Sequence, residues 1–153
     1  MRALLQTGFR LRRFLLRALR IRTRGVKVML FNPAGELLLI RNSYGDRSVY
    51  VLPGGGIGRR ETPAAAAVRE VREEVGLETY DLAFVSAHFS SAEGKRDTIH
   101  LFSGRVSGSP TADRLEVEEA RFFPLDALPA TVSAATLRRI AEMNGRRPAD
   151  PAW

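Results

Sequence analysis

The residues best suited to chemistry are three glutamates, Glu70, Glu73 and Glu74, near the end of a helix-forming segment. Their i, i+3 and i+4 spacing places three carboxylates on one face of a helix. Like charges this close repel one another, which costs stability unless a cation lies between them. Carboxylate oxygens are ligands that magnesium, calcium and manganese prefer. The pattern indicates a divalent-metal site, and a solvated acidic helix end is the simpler alternative.

Two neighbouring features favour the metal site over the solvated helix end. A glycine-rich turn that contains Gly54 and Gly55 precedes the helix, and backbone without side chains can approach a phosphate closely. Glu61 lies shortly before the helix and can reach back toward the same site. Arg69 is adjacent to the three glutamates, so it can neutralise part of their charge and orient a carboxylate. We therefore expect the turn to bind substrate beside the metal.

Composition narrows the chemistry further. The chain has 153 residues, no cysteine and two histidines. These counts exclude a disulfide scaffold, a cysteine nucleophile, a thiolate zinc site and a three-histidine metal centre. No run of 18 or more apolar residues is present, and no stretch has the length of a signal-peptide core. We expect a cytoplasmic protein.

The helix that carries the glutamates is the strongest local prediction. Thr62 is a plausible N-cap, Pro63 suits the first helical position, and Gly76 is the expected stop, giving about 13 residues. The face predicted to lie opposite the glutamates is apolar and can pack on a sheet. That apolar face consists of Ala67, Val71 and Val75.

Strands and helices alternate around this helix. Alternating or β-branched segments predict strands at 26–31, 37–40, 49–52, 82–89, 98–106 and 120–123. The first two are expected to form a hairpin around the turn at 32–35, and a closing helix begins at Thr131 or Ser133 and ends near Asn144. Arg41 ends the second strand, where it either grips a phosphate or lies on the surface. The order of elements predicts an α/β fold with a mixed sheet covered by helices.

Residues 55–77 resemble the Nudix box without a gap. Gly55 is followed after five residues by Glu61, and after seven more by REVREEVGL at 69–77. The preceding YVLPGG at 50–55 and the later EARFFPLDALP at 119–129 are similar to the family's lead-in and its late strand and turn. Tyr50 and a phenylalanine stand where tryptophan is more usual. The resemblance covers about residues 25–143.

This resemblance implies a three-layer α/β/α sandwich with a mixed β-sheet. It also implies a pyrophosphohydrolase that uses magnesium, or manganese as a substitute. The implied reaction cleaves a pyrophosphate bond in a nucleoside diphosphate linked to another moiety, so nucleoside triphosphates, nucleotide sugars and ADP-ribose all remain candidate substrates. A Nudix-fold module that binds a nucleotide without cleaving it is one alternative, and a membrane- or polyanion-binding protein is another.

The resemblance also implies roles for individual residues. Glu70, Glu73 and Glu74 bind the metal, and Glu61 supports them as a fourth carboxylate. Arg69 orients the carboxylates. The general base is either a carboxylate of the box, where Glu73 and Glu74 are the candidates, or a glutamate of a later loop. Among Glu116, Glu118 and Glu119 of that loop, Glu116 is the predicted base.

The positive charge of the chain is concentrated at one end. Residues 1–27 hold nine basic and no acidic side chains, whereas residues 28–153 hold fifteen basic and seventeen acidic ones. Residues 1–24 are predicted to form a basic amphipathic helix, 25–145 the hydrolase domain and 146–153 a tail. The helix either packs on the domain or on a second subunit in a homodimer, or it contacts anionic lipid or nucleic acid, or it targets an organelle. Packing is the favoured prediction.

Overall fold

The structure is a computed structural model that describes residues 24–90 and 97–153. The predictions made for residues 1–23 therefore lie outside the described residues. The elements of the described part are β1 (Arg24–Phe31), β2 (Leu37–Asn42), β3 (Tyr50–Val51), α1 (Pro63–Val75), β4 (Thr79–Ser90), β5 (Asp97–Val106), β6 (Val117–Phe123) and α2 (Ala134–Met143).

The strands form one mixed sheet in the order β3-β2-β1-β5-β4, and β6 pairs with β2. β1 and β5 are parallel over their whole length, from Arg24 opposite Thr98 to Phe31 opposite Arg105. The other pairs are antiparallel. The prediction of a mixed sheet is confirmed.

Alternate side chains of a strand point to opposite faces of the sheet, so the apolar strands give the sheet two apolar faces. One helix packs on each of these faces. On β1, Val28 belongs to the apolar core that includes Val71 of α1. The next residue, Met29, belongs to the second core, which includes Ile140 of α2. The same alternation continues along β2. The predicted three-layer α/β/α architecture is confirmed.

The helix α1 has the predicted length and ends. The Oγ1 atom of Thr62 accepts a hydrogen bond from the amide of Ala65 at 3.2 Å, and Pro63 is the first helical residue. Gly76 adopts the left-handed conformation, with φ at 68°, and its amide donates to Arg72 at 3.1 Å. A residue with a side chain would be strained at this φ, which explains why the helix ends at glycine.

The predicted hairpin of the first two strands is mostly absent. β1 and β2 share a single register pair, Phe31 with Leu37. Instead, the amides of Val26 and Val28 donate to the carbonyls of Gly55 and Pro53, at 2.9 and 3.0 Å. The glycine-rich turn thus takes the edge of β1 that a hairpin partner would use, and this places the turn directly beside β1.

The last residues of the chain extend the sheet at its β4 edge. The amide of Phe89 donates to Pro151 at 2.7 Å, and the amide of Trp153 donates to Phe89 at 2.9 Å. Trp153 also lies over the guanidinium of Arg139 and beside the ring of His88. Among the described residues, neither helix is long and apolar enough to cross a membrane.

Candidate active site

Two of the three predicted metal-binding glutamates are buried against the sheet. Glu70 and Glu74 are 1% and 2% exposed, whereas about a third of the Glu73 side chain is accessible. The prediction that the glutamates lie opposite the apolar face is therefore wrong for Glu70 and Glu74. At 100° per residue these two positions adjoin Ala67 and Val71 on the helix surface, so they enter the core with them. Only Glu73 points away from the sheet.

Arg69 joins Glu61, Glu70 and Glu73 into one network. Its guanidinium contacts Glu61 through two hydrogen bonds of 2.7 and 2.8 Å, Glu70 at 2.9 Å and Glu73 at 3.4 Å. It also donates to the carbonyl of Gly56 at 3.0 Å. The hydrogen bonds with Glu61, followed by the charge of Glu70, raise the pKa of Arg69 above its usual value. A permanently charged fork in this position can contact several carboxylates at once, and the orienting role of Arg69 stays a prediction.

Glu61 is held by the loop before α1. Besides its two bonds with Arg69, its Oε2 atom accepts a hydrogen bond from the amide of Gly58 at 2.7 Å. Its own amide donates to the carbonyl of Gly58 at 3.2 Å. The short loop thereby returns Glu61 to the side of α1 that carries Arg69, and the structure brings it into the same network as Glu70 and Glu73.

The glycine-rich turn contacts Glu74 through its backbone. The amide of Gly54 donates to Oε2 of Glu74 at 2.8 Å, and the bond is buried. Gly54 has φ at 133°, and a Cβ atom on it would overlap the carbonyl oxygen of Val26. Only glycine therefore allows the turn to lie this close to β1. Gly55 is fixed by its carbonyl, which accepts from the amide of Val26.

Lys27 also positions the turn, and sequence reasoning missed it. Its Nζ atom donates to the carbonyl of Leu52 at 2.8 Å and to that of Gly54 at 3.3 Å. The available signal was a lysine inside the apolar strand sequence VKVML of residues 26–30. A charge at such a position needs a partner close by, and here backbone carbonyls supply it.

The loop before β6 is tied to the carboxyl end of α1. The amide of Thr111 donates to the carbonyl of Val75 at 2.8 Å, and that of Asp113 to the carbonyl of Glu74 at 3.2 Å. One carboxylate oxygen of Asp113 accepts from the amides of residues 115, 116 and 117. Glu116 is buried in this loop, and its carbonyl accepts from the amide of Ser43. The predicted loop base thus lies in a segment that contacts the end of α1.

Arg41 contacts a carboxylate of β6. Its guanidinium bonds Glu119 at 2.8 Å through Nε and at 2.5 Å through Nη2, and lies over the ring of Tyr50. The hydrogen bond with Glu119 raises the pKa of Arg41. Glu118 bonds Arg47 at 3.0 Å. The structure does not join Arg41 to Arg69 or to its carboxylates through any hydrogen bond described here, and its phosphate-binding role stays a prediction.

The candidate ligand atoms are of the type that a hard divalent cation prefers. All candidate ligands are carboxylate oxygens, and burial of Glu70 and Glu74 makes compensation by positive charge necessary. Within residues 24–90 and 97–153, no three acidic or histidine side chains are grouped closely enough to hold a metal as they stand. Glu73 makes the longest of the Arg69 contacts and is the most accessible of these glutamates.

The family model and the curated relatives that match this chain agree with one another. The family model of the NUDIX domain matches residues 21–142. The NAD-capped RNA hydrolase NudC of Pseudomonas aeruginosa is 31% identical over 113 residues, which are 73% of this chain and 40% of that protein. The RNA pyrophosphohydrolase of Pseudomonas paraeruginosa is 41% identical over 61 residues, 40% of this chain and 37% of that protein. The chain spans about two fifths of the length of these curated relatives.

Solved structures show the same fold. The crystal structure of a MutT NUDIX hydrolase from Burkholderia pseudomallei superposes with a TM-score of 0.69 at 24% identity. The match covers 77% of this chain and 95% of that one. At this level of identity the likeness establishes the architecture, whereas the chemistry rests on the residues of the site.

Proposed function

The chain belongs to the NUDIX family, and we propose that it hydrolyses a pyrophosphate bond in a nucleoside diphosphate linked to another moiety. One observation carries the proposal. Glu70 and Glu74 are buried carboxylates, held by Arg69 and by the amide of Gly54. Burying two negative charges in an apolar core is costly, so their retention favours a role that needs charge at that place.

Proteins of this family generally use divalent metal ions, and we propose magnesium, with manganese as a substitute. Glu70, Glu73 and Glu74 would hold the ion, and Glu61 would support them. When bound, such an ion neutralises charge on the diphosphate, positions its oxygens and lowers the pKa of water.

The residues of the chain divide the remaining work. Arg69 bridges Glu61 and Glu70, so it orients both carboxylates and offsets their mutual repulsion, to which the charge of a diphosphate substrate would add. The backbone of Gly54 and Gly55 offers a surface without side chains for the phosphates. Glu116, or Glu73 of α1, accepts the proton of the attacking water.

The substrate is proposed only as a class. One of the two curated relatives is named as a hydrolase of NAD-capped RNA, and the other as an RNA pyrophosphohydrolase. Both substrates contain a pyrophosphate bond. Nucleoside triphosphates, nucleotide sugars, ADP-ribose and capped RNA ends share that bond and all belong in the test. A cytoplasmic location, where such nucleotides are abundant, stays a prediction.

A substrate panel with matched variants tests the proposal. The full-length chain is incubated with each substrate and magnesium, and products are resolved by chromatography. Glu74→Gln should lower turnover of the best substrate about 100-fold or more, because it removes one ligand charge from the cation that stabilises the transition state. Glu78→Gln is the control, since Glu78 is exposed and bonds only Arg72 among the contacts described.

Metal linkage gives a second readout of the same site. Magnesium should raise the melting temperature of the wild-type chain and not that of Glu74→Gln, because the ion binds the folded cluster. Wild-type turnover by Glu74→Gln would contradict the proposal. Nucleotide binding without turnover of any substrate would instead favour a binding module.

A further inference from the structure

The strand β4 presents an exposed apolar surface at the edge of the sheet. Phe84 and Phe89 are 58% and 61% exposed. The register places Phe84 opposite Phe102, Ala87 opposite His100 and Phe89 opposite Thr98, so all three lie on the face that α1 covers elsewhere. We call Phe84, Ala87 and Phe89 the β4 surface. Two large aromatic side chains this exposed indicate a surface with a partner.

The free edge of β4 is partly taken. Residues 151–153 pair with Phe89 through two backbone hydrogen bonds and a parallel bridge to Ala152. A second copy adding a strand at this point would have to displace the tail. What stays exposed among the described residues is therefore a face of β4, suited to a segment that lies across it.

The amino-terminal segment of the chain enters the sheet beside this surface. β1 begins at Arg24, which lies opposite Thr98, and Thr98 lies opposite Phe89. Two strand spacings separate Arg24 from Phe89, roughly 10 Å. Nine residues connect Leu15 to Arg24, which is about 14 Å as a helix and about 30 Å when extended. Residues 1–23 can therefore reach the whole β4 surface.

The chemistry of that segment matches the surface. At helical spacing, Leu11, Phe14 and Leu15 fall on one side and arginines on the other. Residues 1–27 hold nine basic and no acidic side chains, whereas the rest of the chain has two more acidic than basic ones. The charge of the segment is thus opposite in sign to the net charge of the rest of the chain, which favours contact between the two.

We propose that residues 1–23 of the same chain cover the β4 surface, with the side that carries Leu11, Phe14 and Leu15 against Phe84 and Phe89. The arginines then face solvent. This inference is independent of the proposed activity, because it concerns the part of the sheet that α1 leaves exposed.

Cross-linking in the full-length chain tests the proposal. The chain has no cysteine, so introduced pairs report without background. Leu15→Cys is combined with Phe89→Cys, and the matched control combines Arg13→Cys with Phe89→Cys, which places the first thiol on the arginine side. A short bismaleimide should give about tenfold more intramolecular product with the Leu15 pair, since effective concentration falls when geometry prevents contact.

A second control uses the other face of β4. Ala83 is exposed and pairs with Ser103, which places it on the face away from Phe84. Leu15→Cys with Ala83→Cys should therefore give little cross-linked product. If Phe89→Cys alters the melting temperature, Leu15→Cys with Phe84→Cys replaces the first pair and should give the same high yield. Equal yields for the Leu15 and Arg13 pairs would overturn the proposal. So would a covalent dimer as the main product, which would assign the surface to a second copy.

Discussion

Each of the two helices in the described residues presents an arginine to a set of polar groups, and the two arginines lie in different electrostatic settings. Arg69 of α1 contacts three carboxylates and is about 30% exposed. Arg139 of α2 is fully buried, where its guanidinium bonds Glu142 at 2.9 Å and the carbonyl of Asp150 at 3.1 Å. One arginine is surrounded by excess negative charge, and the other has a single carboxylate partner described.

The pKa shifts of the two arginines have opposite signs. The hydrogen bonds with Glu61 raise the pKa of Arg69, whereas burial lowers the pKa of Arg139. Around Arg69 the carboxylates outnumber the positive charge, so the remaining negative charge can bind a cation. Arg139 is removed from water and packed against other side chains, which is typical of a residue that stabilises the fold. We therefore expect substitutions of Arg69 to change turnover and substitutions of Arg139 to change stability.

The largest expected effect belongs to Arg69→Lys. Lysine keeps the charge and so preserves the fold, but it cannot form the fork that holds Glu61 and Glu70 together. Turnover of the best substrate should fall about 100-fold, the cost typical of a misplaced catalytic group. Steady-state kinetics at saturating magnesium measure it. Arg72→Lys on the exposed side of α1 is the control, and equal kinetics in both variants would contradict the assignment.

Arg139→Met should act on stability. Methionine fills the space beside Trp153 but removes the guanidinium donor from Glu142 and from the carbonyl of Asp150. These acceptors keep only weaker, neutral partners among the contacts described, the amide of Asp150 and the ring of His88, so the free energy of unfolding should fall by about 2 kcal/mol. Urea denaturation followed by circular dichroism measures this loss. Turnover at a temperature where both proteins are folded should be unchanged. The double variant Arg139→Met with Glu142→Gln should regain part of the loss, and a loss of turnover in either would break the comparison.

The smallest expected effect is a pH dependence from His88, which lies against Arg139. Burial lowers the pKa of His88 below 6.5, and the charge of Arg139 acts in the same direction. Below pH 6.5, His88 therefore binds a proton more readily in the unfolded chain than in the folded one. Its contribution to the free energy of unfolding is present above pH 6.5 and declines as the pH falls below that value.

Melting temperatures measured from neutral to mildly acidic pH test this dependence. His88→Gln should flatten the decline in part, because burial also lowers the pKa of His100, which the variant retains. An unchanged slope in His88→Gln would show that His88 does not contribute.

Features that depend on neighbouring residues in the sequence were predictable here. The cap at Thr62, the proline at the first position and Gly76 define α1 locally, and the structure has the same 13-residue helix. The spacing of Arg69 and the glutamates likewise follows from the helical repeat. Glu61 was also expected to reach back toward the site from its position shortly before the helix, and the structure shows its contact with Arg69.

Features that depend on distant pairing were not predictable. The edge of β1 could have gone to β2 in a hairpin, and only the packed structure shows that Gly55 and Pro53 take it. The burial of Glu70 and Glu74 follows from where α1 sits on the sheet, which the helical repeat alone does not state. In the sequence, Lys27 and Arg41 are isolated charges within strands. Their partners, the carbonyl of Leu52 and the carboxylate of Glu119, lie 25 and 78 residues away.

The docking of the carboxyl-terminal residues also determines what an optical probe of this protein measures. Trp153 is the single tryptophan of the chain, and its ring lies against Arg139 and His88 at the end of β4. Tryptophan emission therefore reports the attachment of the last few residues to the sheet, while far-ultraviolet dichroism reports the helices and strands. The two signals coincide during unfolding only if the tail detaches in the same cooperative step as the core, so their separation measures how tightly the chain end is coupled to the domain.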